Sequence, residues 1–313
     1  IEAYRRAGKS EEKVAELKRK LIDYQSKAVT ELRSIQSDEI DISSYIQQSV
    51  ENVSGKAFFE ALSILAVSFH PPEVTNLRTQ VEKHRKEFAL QSLIPTLLLD
   101  SKGKVIAQKE SEGEEAILAD MFQHANQSRG IYVQANIEPS RIQILSEHRA
   151  RTSDFLVFLK NHRLIPQGRE LIVARGLQAG LYGDFLTAVH FLIPQLEESI
   201  RYILIQLGNV PSSLNNKGIQ NEYSLNETLK NSNFTSQLNK VFGEDLIFDL
   251  RGLLTEKFGS NLRNDMAHGL IDHNSFYSVA GCYLWWLALR FYLLPYLLRE
   301  AETVETDSQI SNE

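Results

Sequence analysis

Arg263, Asn264 and His268 stand within six positions of one another in the segment GSNLRNDMAHGL, residues 259–270. An arginine and a histidine at one spacing carry little weight alone. With 18 arginines and 8 histidines in the chain, roughly half an occurrence is expected by chance at any given interval. The surroundings carry more. Gly259 is placed to end a helix, and Ser260 or Asn261 can cap a new one whose free N–H groups favour a phosphate. Asn264 and His268 are one helical turn apart, so the amide can orient the imidazole or reach the same ligand. The small residues Ala267 and Gly269 leave room beside the ring. Two readings stay open on these grounds. One is a functional site; the other is a capped helix turn with Arg263 paired to an acid and His268 hydrogen-bonded within a bundle.

The elements that must position these residues read as helices. Hydrophobic residues make up 42% of the 313 and charged residues 24%, with 8 prolines and 16 glycines, so the chain is expected to fold and to be mainly α. In EEKVAELKRKLIDYQSKAVTELRSI, residues 11–35, Val14, Leu17, Leu21, Tyr24, Ala28 and Leu32 recur at helical spacing, and Ser10 is a suitable N-cap. The preceding YRRAGK is similar to the end of a helix in a tetratricopeptide-type array, although one partial unit is no repeat. Further helices are expected over Ser44–Ser68, Glu73–Phe88, Glu114–Ala125, Ser140–His148 and Ser153–His162. A single β-hairpin is expected in PTLLLDSKGKVIAQ, residues 95–108, where Gly103 supplies the turn.

The second half is patterned as one bundle. GRELIVARGLQAGLYG and DFLTAVHFLIPQLEESIRYILIQLG predict two helices, the second carrying Pro194. Ser224 and Glu227 form a capping box, Glu244–Gly259 is amphipathic, and a long apolar helix runs from about Ser275 to Arg299. The apolar stretch Phe276–Leu298 approaches the length of a membrane span. Arg290 and Pro295 interrupt it, which favours a buried helix and no membrane. The expected organisation is an N-terminal helical region with the hairpin (1–165), a helical bundle (166–300) and an acidic, disordered tail (301–313). The start at Ile1, without Met or a signal-type core, reads as a fragment of a longer chain.

Charge and motif content narrow the chemistry. The net charge is −6, but five acids and no base follow Arg299, which leaves the body nearly neutral. Any nucleic-acid contact must then come from a local patch. Arg149, Arg151, Lys160, Arg163, Arg169 and Arg175 against Asp154 and Glu170 provide one, unless they form only a solvated face. Cys282 is the one cysteine, which excludes an intrachain disulfide and a thiolate zinc site and suits a reducing, cytoplasmic setting. No phosphate-binding GxxxxGK[ST] loop, HExxH or GxSxG motif is present. His162, His190 and His273 are read as structural.

LRNDMAHG resembles the RNxxxHG signature of the family called domain of unknown function 4209, and GDFLTAVHFLIPQLEESIRYIL resembles the helix preceding it there. The likeness covers about Gly168 to Arg299. The same Arg-x4-His spacing is that of the HEPN superfamily, helical bundles that often act as metal-independent ribonucleases. The resemblance implies that Arg263 and His268 are catalytic and that Asn264 is the polar residue accompanying them. Glu197 and Arg201, a same-face pair on the preceding helix, become supporting candidates, and Arg169 and Arg175 candidates for RNA contact. It further implies RNA as substrate, no cofactor or metal, attack by the 2′-hydroxyl, and a homodimer through the bundle, since one motif supplies one histidine. The rival expectation is a non-catalytic helical scaffold that dimerises through the bundle and binds a protein partner through its N-terminal helices.

Overall fold

The computed structural model describes residues 1–6, 8, 11–32, 40–92, 94–100 and 102–310. Helices hold about 70% of the chain, and strands form two small antiparallel hairpins, so the fold is mainly α. Contacts divide the chain into two compact units, residues 1–40 with 81–120 and residues 41–80 with 121–313.

In the first unit the hairpin pairs Thr96–Leu99 with Val105–Lys109, as the two short apolar runs around a Gly-containing turn predict. Gly103 holds φ at 75° in its turn, and a Cβ there would lie 2.2 Å from the Gln25 carbonyl oxygen. That contact seats the turn on the helix Glu11–Glu31. The apolar stripe of this helix is not buried as expected: Leu21, Tyr24 and the following Leu32 are exposed. The cap expected at Ser10 lies outside the described residues. Asp120 receives both Arg85, at 2.5 Å, and Lys109.

The second unit is built around the helix Val279–Ile310, in which every residue from Cys282 to Leu293 is buried. Among the described residues no helix is long and apolar enough to cross a membrane. The apolar run instead fills a core shared with Phe58–Val67, Thr152–Leu159, Glu170–Leu181 and Phe185–Gln206. Its two indoles are satisfied by backbone carbonyls, Trp285 by Leu177 at 2.8 Å and Trp286 by Leu65 at 2.9 Å. This core runs across residue 165, the boundary expected from sequence, because Leu62, Leu65 and Phe155 pack with the bundle. The helix also continues into the acidic segment as far as Ile310, and residues 311–313 lie outside the described residues.

Several boundaries differ from expectation. Ser44–Ser68 is two helices, Ser43–Val53 and Phe58–Val67. The break is held by Glu147, whose carboxylate accepts from Gly55 N–H at 2.9 Å and from the Ser54 hydroxyl at 3.1 Å. Glu114–Tyr132 continues through a π-turn, Val133–Ile137, into Glu138–Glu147, where two separate helices were expected. The polar loop after Gly208 contains a second hairpin, Ser212–Leu214 with Gln220–Glu222. Its strands have three residues each and no apolar alternation, so periodicity could not reveal them. The expected Ser224–Glu227 capping box is present, and Asp184 caps the helix Phe185–Gln206 by accepting from Thr187 N–H at 3.0 Å.

A charged cluster crosses the interior of this unit. Arg129 and Asp249, with side chains 1% and 0% exposed, pair at 2.6 Å, and the Tyr283 hydroxyl donates to the other Asp249 oxygen at 2.8 Å. Removing one member of a buried pair strands the other charge. Arg129→Ala is therefore expected to lower the free energy of unfolding by about 3–5 kcal/mol, read by urea denaturation. Adding Asp249→Ala should cost less than the sum of the two single changes. Additive losses would show that the pair is not coupled.

Candidate functional site

The helix Glu244–Leu254 ends five residues before Gly259 rather than at it. Gly259 has a different purpose: a Cβ there would lie 1.8 Å from the Gly252 carbonyl oxygen, so only glycine lets the returning chain pass. Ser260 N–H then bonds that same carbonyl at 2.9 Å, and its hydroxyl donates to Asn126 at 2.9 Å. Asn261 adopts left-handed backbone, φ 48°, and starts the helix Leu262–Ala267 without a side-chain cap bond of the expected kind. Its side chain instead reaches forward, donating to Asp265 and accepting from Asn264, both at 2.7 Å.

Arg263 and Asn264 are half-buried and bound into the fold. The Arg263 guanidinium spans the Glu197 carboxylate through Nε at 3.2 Å and Nη2 at 3.3 Å, while Nη1 donates to the Asn264 side chain at 3.2 Å. Glu197 also accepts from Leu225 N–H at 3.1 Å and lies 3.5 Å from Arg201. Arg263, Glu197 and Arg201 are thus brought together, joining the short helix to Phe185–Gln206. The Asn264 amide turns inward to Asn261 and to the Thr255 carbonyl at 3.3 Å, rather than orienting His268. His268 caps the helix at its C-terminal end and is exposed, and among the described residues its ring makes no hydrogen bond.

The remaining sequence candidates scatter. Arg169 lies 3.6 Å from Glu198 and Arg175 is exposed on Glu170–Leu181. Glu198 and Glu222, which both bind Arg201, were not anticipated, nor was Asp265. A pair four residues apart on one helix, Asn261 and Asp265, was the available signal for the last. Compared with protein-family models, with curated proteins and with solved structures, the chain matches none. The chemistry must therefore be argued from the side chains.

Among the described residues no cluster of His, Cys, Asp and Glu is arranged to hold a metal ion. Beside the motif a cavity of about 170 Å³ is lined by Leu262, Asp265, Leu270, Ile271, Ser275 and Ser278. A guanidinium held in fixed orientation can offset negative charge, and an exposed imidazole five residues further along the chain can exchange protons. The nearby acids Glu197, Glu198 and Glu222 keep the immediate surroundings from being strongly basic.

Burial raises the Asp265 carboxyl above its ordinary value of 3.8, against the lowering influence of Asn261, His268 and Lys257. The folded state then holds this proton more tightly than the unfolded chain does. The group's stabilisation is present below the ordinary carboxylate value and is lost as pH rises through the raised one. Asp265→Asn should accordingly gain stability relative to the unsubstituted chain as pH is raised from about 3 to about 7, measured by urea unfolding across a pH series. A flat or opposite trend would show that burial does not govern this carboxyl.

Proposed function

We propose that the chain is a metal-independent endoribonuclease of the HEPN type, acting as a homodimer through its C-terminal bundle. The observation that carries the reading is the contrast between one short helix and the residue that caps its C-terminal end. Arg263 is oriented by the Glu197 carboxylate, whereas the ring of His268 is left exposed. A structural histidine in a bundle would be expected to spend its ring nitrogens on neighbours, as His162 does.

In the proposed reaction the 2′-hydroxyl of RNA attacks the adjacent phosphorus. The O2′–P bond forms, the P–O5′ bond breaks, and the products are a 2′,3′-cyclic phosphate and a 5′-hydroxyl. One group takes the 2′-hydroxyl proton and another returns a proton to O5′. His268 supplies one of these, and the His268 of a second copy supplies the other across a two-fold axis. Arg263 offsets the charge that develops on the phosphate, for which a planar guanidinium is suited. Asn264 holds Arg263 from behind, and Glu197 with Arg201 fixes its direction.

A second reading is favoured by a different observation. Leu21, Ile22, Tyr24 and Leu32 leave an apolar stripe exposed on and just beyond the helix Glu11–Glu31. Such a stripe suits a protein partner, and the chain would then be a scaffold in which Arg263–Glu197 is only a structural ion pair.

RNA incubated with the purified chain in EDTA separates the two. The nuclease reading expects fragments with cyclic phosphate ends, with cleavage lowered about a hundredfold or more in His268→Ala and in Arg263→Ala. Equal cleavage in all three proteins, or none in any, supports the scaffold.

A further inference from the structure

We infer that the cavity enclosed by residues 68–80, Ser128 and Tyr132 is a binding site for a neutral sugar ring, held through a pair of adjacent hydroxyls. Its lining belongs wholly to the second unit and includes no residue of the segment bearing Arg263 and His268, so the inference stands apart from the nuclease reading. At about 360 Å³ the cavity is large enough for a small organic ligand, whose sites run from about 300 to 1,000 Å³.

Glu73, Tyr132 and His70 bring unspent bonding capacity to this lining. Glu73 stands at the start of the helix Val74–Glu87, where a carboxylate ordinarily serves the first free N–H groups. Asp245 takes that duty instead, accepting from Val74 N–H at 2.8 Å. Glu73 Oε2 accepts from the neutral Asn76 amide, and among the described residues Oε1 has no partner and no cation pairs with the carboxylate. The Tyr132 hydroxyl likewise makes no hydrogen bond among the described residues. Burial, with Asp249 and Glu73 near by, raises its pKa above the ordinary value and keeps it a donor. At His70 the protonation state follows from its neighbour. Arg290 Nη2 lies 2.9 Å from Nδ1, and because a guanidinium only donates, Nδ1 accepts and the neutral ring carries its proton on Nε2. Pro71 and Pro72, both buried, stiffen the backbone between His70 and Glu73.

Charge decides against an ionic ligand. Glu73 repels an anion. A cation meets the charge of Arg290, which is bonded to the far nitrogen of His70, is only 8% exposed, and pairs with no carboxylate among the described residues. The two charges offset each other, so the site favours a neutral molecule. That molecule must donate to Glu73 and accept from Tyr132 and His70, and an alcohol does both. Two hydroxyls on neighbouring carbons can share the one carboxylate, a geometry that a single amide lacks. Phe69 and Tyr132, stacked with ring centres 6.0 Å apart, and buried Leu77 supply apolar lining for the C–H face of the ring.

The test is a ligand-detected nuclear magnetic resonance titration of the full chain. The sugar probes are the methyl glycosides of glucose, mannose and galactose, and adenosine; butylamine, acetate and N-methylacetamide stand for the cationic, anionic and amide classes. At least one sugar probe should bind, and its 2-deoxy analogue should bind at least about tenfold more weakly, the loss expected for one hydrogen bond to a charged group. Glu73→Gln should weaken the same probe by about tenfold and Tyr132→Phe by about threefold, with circular dichroism checking that both variants keep their helices. A methyl glycoside binding ahead of adenosine identifies a saccharide as the source of the ring, and the reverse order identifies a ribonucleoside. Failure of every sugar probe, equal binding of the deoxy analogue, binding that survives Glu73→Gln, or tighter binding of butylamine, acetate or N-methylacetamide overturns the site.

Discussion

The buried pair Arg129–Asp249 is the constraint on which the second unit depends. Two charges removed from water are costly unless every hydrogen-bonding group finds a partner. Arg129 donates to Asp249 Oδ1 through Nε and Nη2, to the Asp249 carbonyl, and to Asn126, while Asp249 Oδ2 accepts from Tyr283. These requirements fix three helices at once: the C-terminal part of Glu114–Tyr132, Glu244–Leu254 and the buried start of Val279–Ile310. The guanidinium also lies 5.6 Å from the centre of the Tyr283 ring. Burial, with Asp249 beside it, pushes the Tyr283 hydroxyl well above its ordinary pKa and keeps it a donor.

The same network reaches the candidate site. Asn126 accepts from Arg129 on one side and from Ser260 on the other. Ser260 and Gly259 both pack on Gly252, one turn beyond Asp249, and the helix bearing Arg263 and His268 begins directly after. The site is therefore supported by the core, not by a free loop. Its polar groups divide in consequence. Arg263, Asn264 and Asn261 satisfy one another and the backbone, and only His268, at the helix end, is left facing solvent without a hydrogen bond among the described residues.

Much of this was legible in one dimension. Apolar residues at helical spacing outlined the bundle helices, and the Ser224–Glu227 box marked one helix start. Two short apolar runs around Asp100–Gly103 marked the first hairpin. These signals are local, and each comes from a residue and neighbours within one or two turns. The second hairpin was not legible because Asn215, accepting from Lys217 and Ile219 N–H at 2.9 and 3.0 Å, sets its turn while its strands carry no apolar pattern. The split at Ser54 was hidden because its stabilising carboxylate, Glu147, is far away in sequence.

The sequence by itself determined the mainly α class, the positions of most helices and the local grouping of Arg263, Asn264 and His268. Tertiary structure alone decided that residues 41–80 join the C-terminal core, that Glu197 orients Arg263, and that His70 and Glu73 line one cavity with Tyr132. Secondary structure follows from periodicity and caps, which are short-range. Ion pairs, buried networks and charge clusters arise only when distant segments pack, because their energy depends on distance and burial in space.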